Sequence, residues 1–373
     1  MFAPDHTAAA EFTLPAPDVR SLLRRAAVPM ALGGAAVVAV LLVGGHVPAF
    51  ADALRRGLGV NPRWVAAGIV FESISLAGYV ALLSLVAGRA APRVGVRESV
   101  QITLAGAAAT RLLPTAGAGG AALTLWALRR AGPRPRAASR ILLMFLVLLY
   151  SVFLASIVLS GAVLALGLVS SPGPVAVSAV PAVAALLAIV IGLGLAATPR
   201  ARMVLAADRS PGGTSGPSRG WSVSRRVRSG ARLIGLAVRD ACELVRTGEL
   251  RLAGAIAYWV FDAGVLWAML HAFGSPPVLP VLALAYLVGQ VANTLPIPGS
   301  VSGGIASVLI AFGVPAELAL PAVLAYRTVA VWLPTPVAIA AIPALRTTIA
   351  RWEREDKVAR TDHAPQAVAV ALR

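Results

Sequence analysis

Charge is scarce in this chain. Only 13% of its 373 residues are charged, whereas 58% are hydrophobic, and the mean hydropathy is +0.80. This shortage excludes an ordinary soluble domain, in which roughly a quarter of the residues are charged. The high hydrophobic fraction also excludes a disordered chain. Several uncharged runs exceed the ~18 residues that mark a membrane span. The composition therefore predicts a polytopic, all-α membrane protein.

Cysteine, lysine and histidine are also rare. Cys242 and Lys357 are the single residues of their types, and the four histidines are scattered. One cysteine excludes an internal disulfide, and the absence of a CxxC or His/Cys cluster predicts no metal site and no cofactor. The net charge of +17 is carried almost entirely by arginine. Since no aromatic and basic platform accompanies it, we expect no nucleic-acid binding but arginine-rich cytoplasmic loops.

Six apolar runs are long enough to cross a membrane. The first, Ala26–Gly45, is followed by Ala49-Phe50-Ala51, so a cleaved signal peptide is the alternative interpretation of this segment. Two further runs, 99–127 and 278–312, are interrupted by glycine and proline. The other five predicted spans cover residues 64–88, 141–169, 174–198, 252–273 and 318–345.

The distribution of arginine predicts the topology. If run 99–127 crossed the membrane once, the arginine-rich segments 128–140 and 199–251 would lie outside, against the positive-inside rule. If it dips in and returns, 28 of the 33 basic residues fall in the cytosol. The basic tail requires run 278–312 to return likewise, from the other side. We therefore predict six full transmembrane helices plus two oppositely oriented re-entrant hairpins, with both termini cytoplasmic, in the plasma membrane.

Short motifs recur in the two halves of the chain. Val70-Phe71-Glu72 recurs as Val260-Phe261-Asp262, and Leu113-Pro114-x-x-Gly117 recurs as Leu295-Pro296-x-x-Gly299. Their order predicts two repeat units, 64–169 and 252–345. Because the first unit starts outside and the second inside, this is an inverted repeat, a pattern of transporters that work by alternating access.

Five regions follow from these boundaries. They are a cytoplasmic N-terminal segment (1–25), a first membrane half (26–198), a basic cytoplasmic loop (199–251), a second membrane half (252–345) and a cytoplasmic tail (346–373) that we expect to be partly disordered. In the basic loop, apolar residues recur at helical spacing. This amphipathic helix either lies on the anionic inner leaflet or packs on other cytoplasmic loops. The stripe consists of Val223, Val227, Ala231, Ile234, Val238, Ala241 and Val245.

Four ionisable residues fall at membrane depth: Glu72, Arg111, Asp262 and Arg327. Each costs roughly 2.5–3.5 kcal/mol in hydrocarbon if unpaired. One interpretation is two structural salt bridges that lock spans together. The other is a polar cavity, in which the arginines attract an anion and the two carboxylates act as counter-ions or couple transport to protons.

The glycine-rich breaks of the two interrupted runs favour the second interpretation, a polar cavity. They precede short apolar helices that we predict to begin at Ala121 and Ile305. Backbone N–H groups at such a helix N-terminus can bind an anion, which makes both breaks candidate substrate-binding segments. The alternative is close helix packing through Gly299-x-x-x-Gly303. The candidates are Gly117 and Gly119 in the first break and Gly299, Ser300, Ser302 and Gly303 in the second.

The second break carries a recognisable pattern. Asn293-Thr294-Leu295-Pro296-Ile297-Pro298-Gly299, followed by Ala325-Tyr326-Arg327 and Trp332-Leu333-Pro334, resembles the lysylphosphatidylglycerol synthase transmembrane-domain (flippase-like) family. The resemblance covers about residues 20–350. It implies an integral membrane protein that flips lipids or lipid-linked molecules. The chain departs from the family at Ser302, where an acidic residue is usual. No globular segment follows Leu345, so we expect no lysyl transfer and no enzyme activity.

Taken together, these features predict a transporter of an anionic phospholipid or a polyprenyl-phosphate-linked molecule, with Arg111 and Arg327 at its site. The expected partners are membrane lipids, with a separate enzyme as a possible further partner. A small-solute or ion transporter on the same scaffold is the alternative. Two further hypotheses are a membrane enzyme that acts on lipid-linked substrates and a structural partner of a cytoplasmic enzyme.

Overall fold

The computed structural model describes residues 61–112, 118–197, 223–294 and 299–371, with side chains for all of these except 111–112, 223–229 and 359–371. This part of the chain is helical and contains no strand. Short 3₁₀ turns cover Leu250–Leu252 and Ala292–Thr294, and a π-helical turn covers Thr328–Trp332. The helices are α1 (Pro62–Gly88), α2 (Val96–Leu112), α3 (Ala118–Arg130), α4 (Pro135–Ala165), α5 (Val175–Ala197), α6 (Val223–Val245), α7 (Ala253–Phe273), α8 (Leu279–Val291), α9 (Ser300–Ala311), α10 (Ala316–Arg327) and α11 (Thr335–Ala371).

Five segments of the described chain are long and apolar enough to cross a membrane. They match five of the six predicted spans, and the sixth, Ala26–Gly45, lies outside the described residues. The last segment is not one regular helix, because the π-helical turn and Pro334 interrupt it between α10 and α11. The five are Pro62–Gly88, Pro135–Ala165, Val175–Ala197, Leu250–Phe273 and Ala316–Val358.

An antiparallel pair, α1 and α7, forms the centre of the bundle. Near one end Gly78 meets Gly254 so closely that a Cβ added to Gly78 would lie 2.7 Å from the Gly254 carbonyl oxygen. Near the other end the ring centroids of Trp64 and His271 lie 4.5 Å apart. Between these contacts Glu72 and Asp262 occupy the middle of their helices. The two carboxylates therefore lie at the same depth.

Each interrupted run folds into a pair of short, packed helices. At about 1.5 Å per residue, the 13 residues of α3 and of α8 and the 12 of α9 reach only about 20 Å, less than the ~30 Å hydrocarbon core. Glycine allows the contact in both pairs. A Cβ added to Gly120 would lie 2.9 Å from the Gly106 carbonyl oxygen, and one added to Gly304 would lie 3.1 Å from the Cα of Gly289.

The predicted starts of two short helices are wrong. Helix α3 begins at Ala118 instead of Ala121, and α9 begins at Ser300 instead of Ile305. The Gly303 N–H donates to the Gly299 carbonyl over 2.8 Å, which places these glycines inside the first helical turn. Glycine has low helix propensity, but the contact between Gly304 and Gly289 requires a residue without a side chain. Tertiary packing outweighs propensity here.

Ion pairs gather the arginine-rich segments at one end of the bundle, which we call the ionic end. The start of α2 and the end of α3 lie there, together with the loop before α7 and the last part of α11, so the α2–α3 pair opens at this end. Opposite it, Pro172 packs against Gly313 and Gly274 against Leu318, so the α8–α9 pair opens at the other end. The ion pairs are Arg89–Glu249 (3.0 Å), Arg93–Asp356 (2.7 Å), Arg351–Glu98 (3.6 Å), Arg130–Glu353 and a two-bonded Arg140–Asp240 (2.5 and 2.6 Å).

Helix α6 packs on membrane helices. A Cβ added to Gly235 would lie 2.7 Å from the Leu195 carbonyl oxygen of α5, and Ala237, Ala241 and Leu244 are buried. The predicted apolar stripe is wrong in part, because Ile234 and Val245 are exposed. The stripe was inferred from spacing alone, and the buried side is set by which residues fit α4 and α5.

The tail is helical, against the expected partial disorder. Helix α11 continues from the membrane segment to Ala371. Ile349 and Trp352 are buried, and Thr348 donates a 2.8 Å hydrogen bond to the Gln101 side chain of α2. These contacts fix the part of the tail that follows Leu345 against the α2–α3 pair.

We expect Gly78→Ala to lower stability by about 1–3 kcal/mol, because its methyl group would overlap the backbone of α7. Gly192→Ala is the matched control, since no described atom lies within 4 Å of a Cβ added at that mid-helix glycine. Thermal unfolding of both variants in detergent measures the difference. Equal melting temperatures would contradict the tight α1–α7 contact.

Candidate functional site

A buried carboxylate joins three helices at mid-depth. Asp262 of α7 is only 9% exposed. The Tyr286 hydroxyl of α8 donates to its Oδ2 over 2.6 Å, and the Tyr326 hydroxyl of α10 donates to its Oδ1 over 3.1 Å. Gln290 of α8 in turn donates to the Tyr326 hydroxyl over 3.0 Å. We call these four residues the Asp262 network. Such hydrogen bonds stabilise a carboxylate in an apolar interior.

Glu72 is the second buried carboxylate, 8% exposed on α1. Its neighbour Phe71 packs against Phe261 with ring centroids 5.7 Å apart, which places Glu72 beside the turn of α7 that carries Asp262. Within the described residues, no group of three or more His, Cys, Asp and Glu side chains could hold a metal ion.

Aromatic side chains pack one turn from Asp262, on the side of the ionic end. Trp259 donates its indole N–H to the Leu149 carbonyl of α4 over 2.8 Å, which fixes α7 against α4. Neighbouring rings contact one another at centroid distances of 4.7–6.0 Å. This aromatic layer lies between the Asp262 network and the ionic end. Its members are Tyr79, Phe145, Tyr150, Phe153, Tyr258 and Trp259.

Arg327 follows directly after the Asp262 network. It ends α10, is half-buried, and makes no ion pair or side-chain hydrogen bond with a described residue. The next turn is π-helical, and the Leu333 N–H closes it on the Thr328 carbonyl over 2.9 Å. Such turns occur frequently at functional sites. A salt bridge that locks Arg327 to another described residue, one of the two sequence interpretations, is therefore not seen.

The candidate residues of the second break lie at the tip of the α8–α9 pair. Gly299 adopts a left-handed conformation with φ of 82°, and no side chain caps the helix that follows it. Ser300 and Ser302 are half-buried, and Gly303 is exposed. No described atom lies within 4 Å of a Cβ added at Gly299 or Gly303, so close packing through these two glycines, the alternative interpretation, is not observed.

The first break is described only in part. Gly119 lies buried in the first turn of α3. Arg111 belongs to the last turn of α2, but its side chain lies outside the described residues, as does Gly117. The structure therefore brings Glu72 and Asp262 to one depth of the bundle and places Arg327 next to Tyr326 of the Asp262 network, and it does not describe the side chain of Arg111 or the position of Gly117.

Sequence reasoning missed two members of the network. Tyr286 and Gln290 are isolated polar residues in an apolar run, and each alone indicates little. Their spacing of four residues places both on one face of a helix, which is the feature that could have identified them. Tyr326 belongs to the family pattern, but the pattern alone does not indicate that the partners of its hydroxyl come from two other helices.

We expect Tyr286→Phe to lower stability by about 1–3 kcal/mol, because it removes a hydrogen bond from a buried carboxylate. Tyr150→Phe is the matched control, since that ring is half exposed and its hydroxyl makes no hydrogen bond to a described residue. Thermal unfolding in detergent compares the two. The hydrogen bond contributes nothing if both variants unfold with the parent.

Comparison with known proteins agrees with the sequence pattern. A family model described as the lysylphosphatidylglycerol synthase TM region matches residues 27–338. The match runs from before α1 into the first turn of α11 and includes every candidate site residue. No curated protein matches the chain. Since the family model covers most of the sequence, the chain is a multi-pass membrane protein that belongs to the lysylphosphatidylglycerol synthase transmembrane-region family.

Proposed function

We propose that this protein moves an anionic phospholipid or a polyprenyl-phosphate-linked molecule between the two leaflets, as a transporter and not as an enzyme. The observation that carries the proposal is Arg327, a half-buried cation beside the Asp262 network with no ion-pair partner among the described residues. A cation at membrane depth is costly, and an anionic headgroup would offset that cost. The planar guanidinium suits a phosphate group because it can donate two parallel hydrogen bonds.

The arrangement of the helices supports transport by alternating access. The α2–α3 pair opens at the ionic end and the α8–α9 pair at the other, while α1 and α7 run antiparallel with an acidic residue at the same depth. We propose that the units 64–169 and 252–345 form an inverted repeat, with six spans, two re-entrant hairpins and both termini in the cytosol of a plasma-membrane protein. In such repeats the substrate binds near the membrane midplane.

The tip of the α8–α9 hairpin supplies the second half of the proposed site. The first N–H groups of α9, at Ser300 and Ser302, precede the start of regular helical hydrogen bonding, and Gly299 and Gly303 leave open space around them. A phosphate group is a suitable ligand for such a terminus. Arg111, Gly117 and Gly119 are the corresponding residues that we propose for the first hairpin.

The Asp262 network couples Arg327 to the second hairpin in this proposal. Tyr286 and Gln290 belong to the hairpin helix α8, and Tyr326 immediately precedes Arg327. A shift of α8 relative to α7 would therefore break hydrogen bonds one residue away from the proposed substrate cation. During that movement Asp262 and Glu72 act either as counter-ions to the arginines or as groups that couple transport to protons.

We expect Arg327→Ala to reduce transfer of a fluorescent short-chain phosphatidylglycerol in reconstituted vesicles by at least about tenfold, the loss of one charge-assisted hydrogen bond. Arg327→Lys should retain part of the transfer rate, since lysine keeps the positive charge but cannot make the bidentate hydrogen bonds of a guanidinium to a phosphate. Arg354→Ala is the control, because that arginine is exposed on the tail. Parental transfer by Arg327→Ala would remove the arginine from the proposal.

The topology has a separate test. In a Cys242→Ser background, Arg134→Cys at the ionic end should resist a membrane-impermeant maleimide in intact cells, whereas Leu168→Cys should react. Both positions are exposed, so reactivity reports sidedness. Reaction of Arg134→Cys from outside would contradict the re-entrant first hairpin, because the α3–α4 loop would then lie across the membrane from its predicted position.

A small-solute or ion transporter remains the alternative. The two buried carboxylates favour it, because Glu72 and Asp262 could serve a small cation as well as a lipid headgroup. The vesicle assay separates the two functions. Movement of a soluble ion without movement of any labelled lipid would favour the alternative over the lipid transporter.

A further inference from the structure

Two buried hydroxyl groups of helix α2 have no hydrogen-bond partner in the described part of the chain. Ser99 and Thr103 of α2 are 0% and 7% exposed, and neither hydroxyl oxygen has a partner among the described residues. Several other helical hydroxyls in this protein avoid that cost by bonding to the backbone of their own helix. Ser160, for example, donates to the Ser156 carbonyl one turn earlier over 2.7 Å, and Thr110 donates to the Gly106 carbonyl over 3.0 Å. Ser99 and Thr103 do not use this arrangement.

Both hydroxyls face the partner helix of the hairpin. Ser99, Thr103, Gly106 and Thr110 recur at intervals of three or four residues and so share one side of α2. Gly106 and Thr110 contact Gly120 of α3, which identifies that side. Across from them lies Thr124 of α3, also buried. We call Ser99, Thr103, Thr110 and Thr124 the hydroxyl seam.

The seam begins at the ionic end. Glu98, next to Ser99, accepts a hydrogen bond from the Gly95 N–H over 3.1 Å and pairs with Arg351. From Ser99 to Thr110 the helix rises about 16 Å, so the seam reaches well into the hydrocarbon layer. Re-entrant backbone is tolerated at such depth where it is covered by protein or lines a water-filled space.

We propose that the hydroxyl seam binds buried water molecules admitted from the ionic end. A water molecule both donates and accepts, so it can satisfy the Ser99 and Thr103 hydroxyls together, and buried water typically occupies such positions. A metal cation is a poorer ligand, because no carboxylate of the described residues is placed in the seam and the neighbouring Glu98 pairs with Arg351. This site does not depend on the proposed transport function.

Hydroxyl-radical footprinting by X-ray irradiation of the full chain in lipid nanodiscs tests the proposal. On irradiation, water bound inside a protein yields hydroxyl radicals in place, and these radicals oxidise the apolar side chains around them. Ile102 and Leu128, both fully buried beside the seam, are the reporters. Leu82 and Leu266, fully buried on the central helices α1 and α7, are the dry references. We expect oxidation of the reporters about fivefold above the references, because internal water is confined to polar sites.

The double variant Ser99→Ala/Thr103→Val removes both hydroxyls while nearly keeping the volume of the side chains. We expect it to lose the excess oxidation at Ile102 and Leu128. Ser160→Ala, which deletes a buried hydroxyl that already has a partner, should leave that oxidation unchanged. Reporters as protected as the references in the parent protein would show that the seam is dry and overturn the proposal, even if the double variant failed to fold. Undiminished oxidation in a folded double variant would overturn it as well.

Discussion

In hydrocarbon no bulk water is available, so a polar group there is costly unless the protein, a bound water molecule or a ligand pairs with it. The Asp262 network is the clearest consequence in this chain. One carboxylate inside the bundle accepts hydrogen bonds from two tyrosine hydroxyls of two other helices, and one of those hydroxyls accepts a hydrogen bond from a glutamine. The same constraint explains why Trp259 donates to a carbonyl of α4 and Ser75 to the Tyr258 carbonyl of α7. These bonds fix the relative positions of the helices, which their apolar surfaces alone would define poorly.

Glycine provides the second means of holding the helices together. Gly78 meets Gly254 in the central pair, Gly106 meets Gly120 in the first hairpin, and Gly289 meets Gly304 in the second. Lipid tails are as apolar as leucine, so helices in a bilayer gain little from burying larger side chains against one another. Close backbone approach at small residues provides van der Waals contact instead. The same device thus serves both the long spans and the short hairpin helices.

The separation of charge within the bundle relates the fold to the proposed function. Paired arginines collect at the ionic end, where water and counter-ions are available. Arg327 lies instead directly after Tyr326, a member of the network that connects α7, α8 and α10. A headgroup phosphate at this position would meet a cation whose placement depends on the second hairpin. Family membership agrees with a lipid-related role for this membrane region.

Hydropathy and arginine distribution, both local properties of the chain, were enough to predict where the five described spans and both interrupted runs lie, although the observed helix starts six residues before 141 in one span and the last segment ends thirteen residues after 345. They also singled out Glu72, Asp262 and Arg327, because an ionisable residue in an apolar run is conspicuous. The start of α9 at Ser300, the buried side of α6 and the helical tail could not be predicted in this way, since each depends on contacts with distant segments.

The sequence by itself thus determined which segments enter the membrane and which charged residues they carry. Only the tertiary structure decided that Tyr286 and Tyr326, 24 and 64 residues away along the chain, bind the Asp262 carboxylate, and that Arg327 makes no ion pair with the described residues. The reason is physical: hydrophobic transfer energy adds up residue by residue along a segment, whereas a buried hydrogen bond requires two particular atoms to meet across the fold.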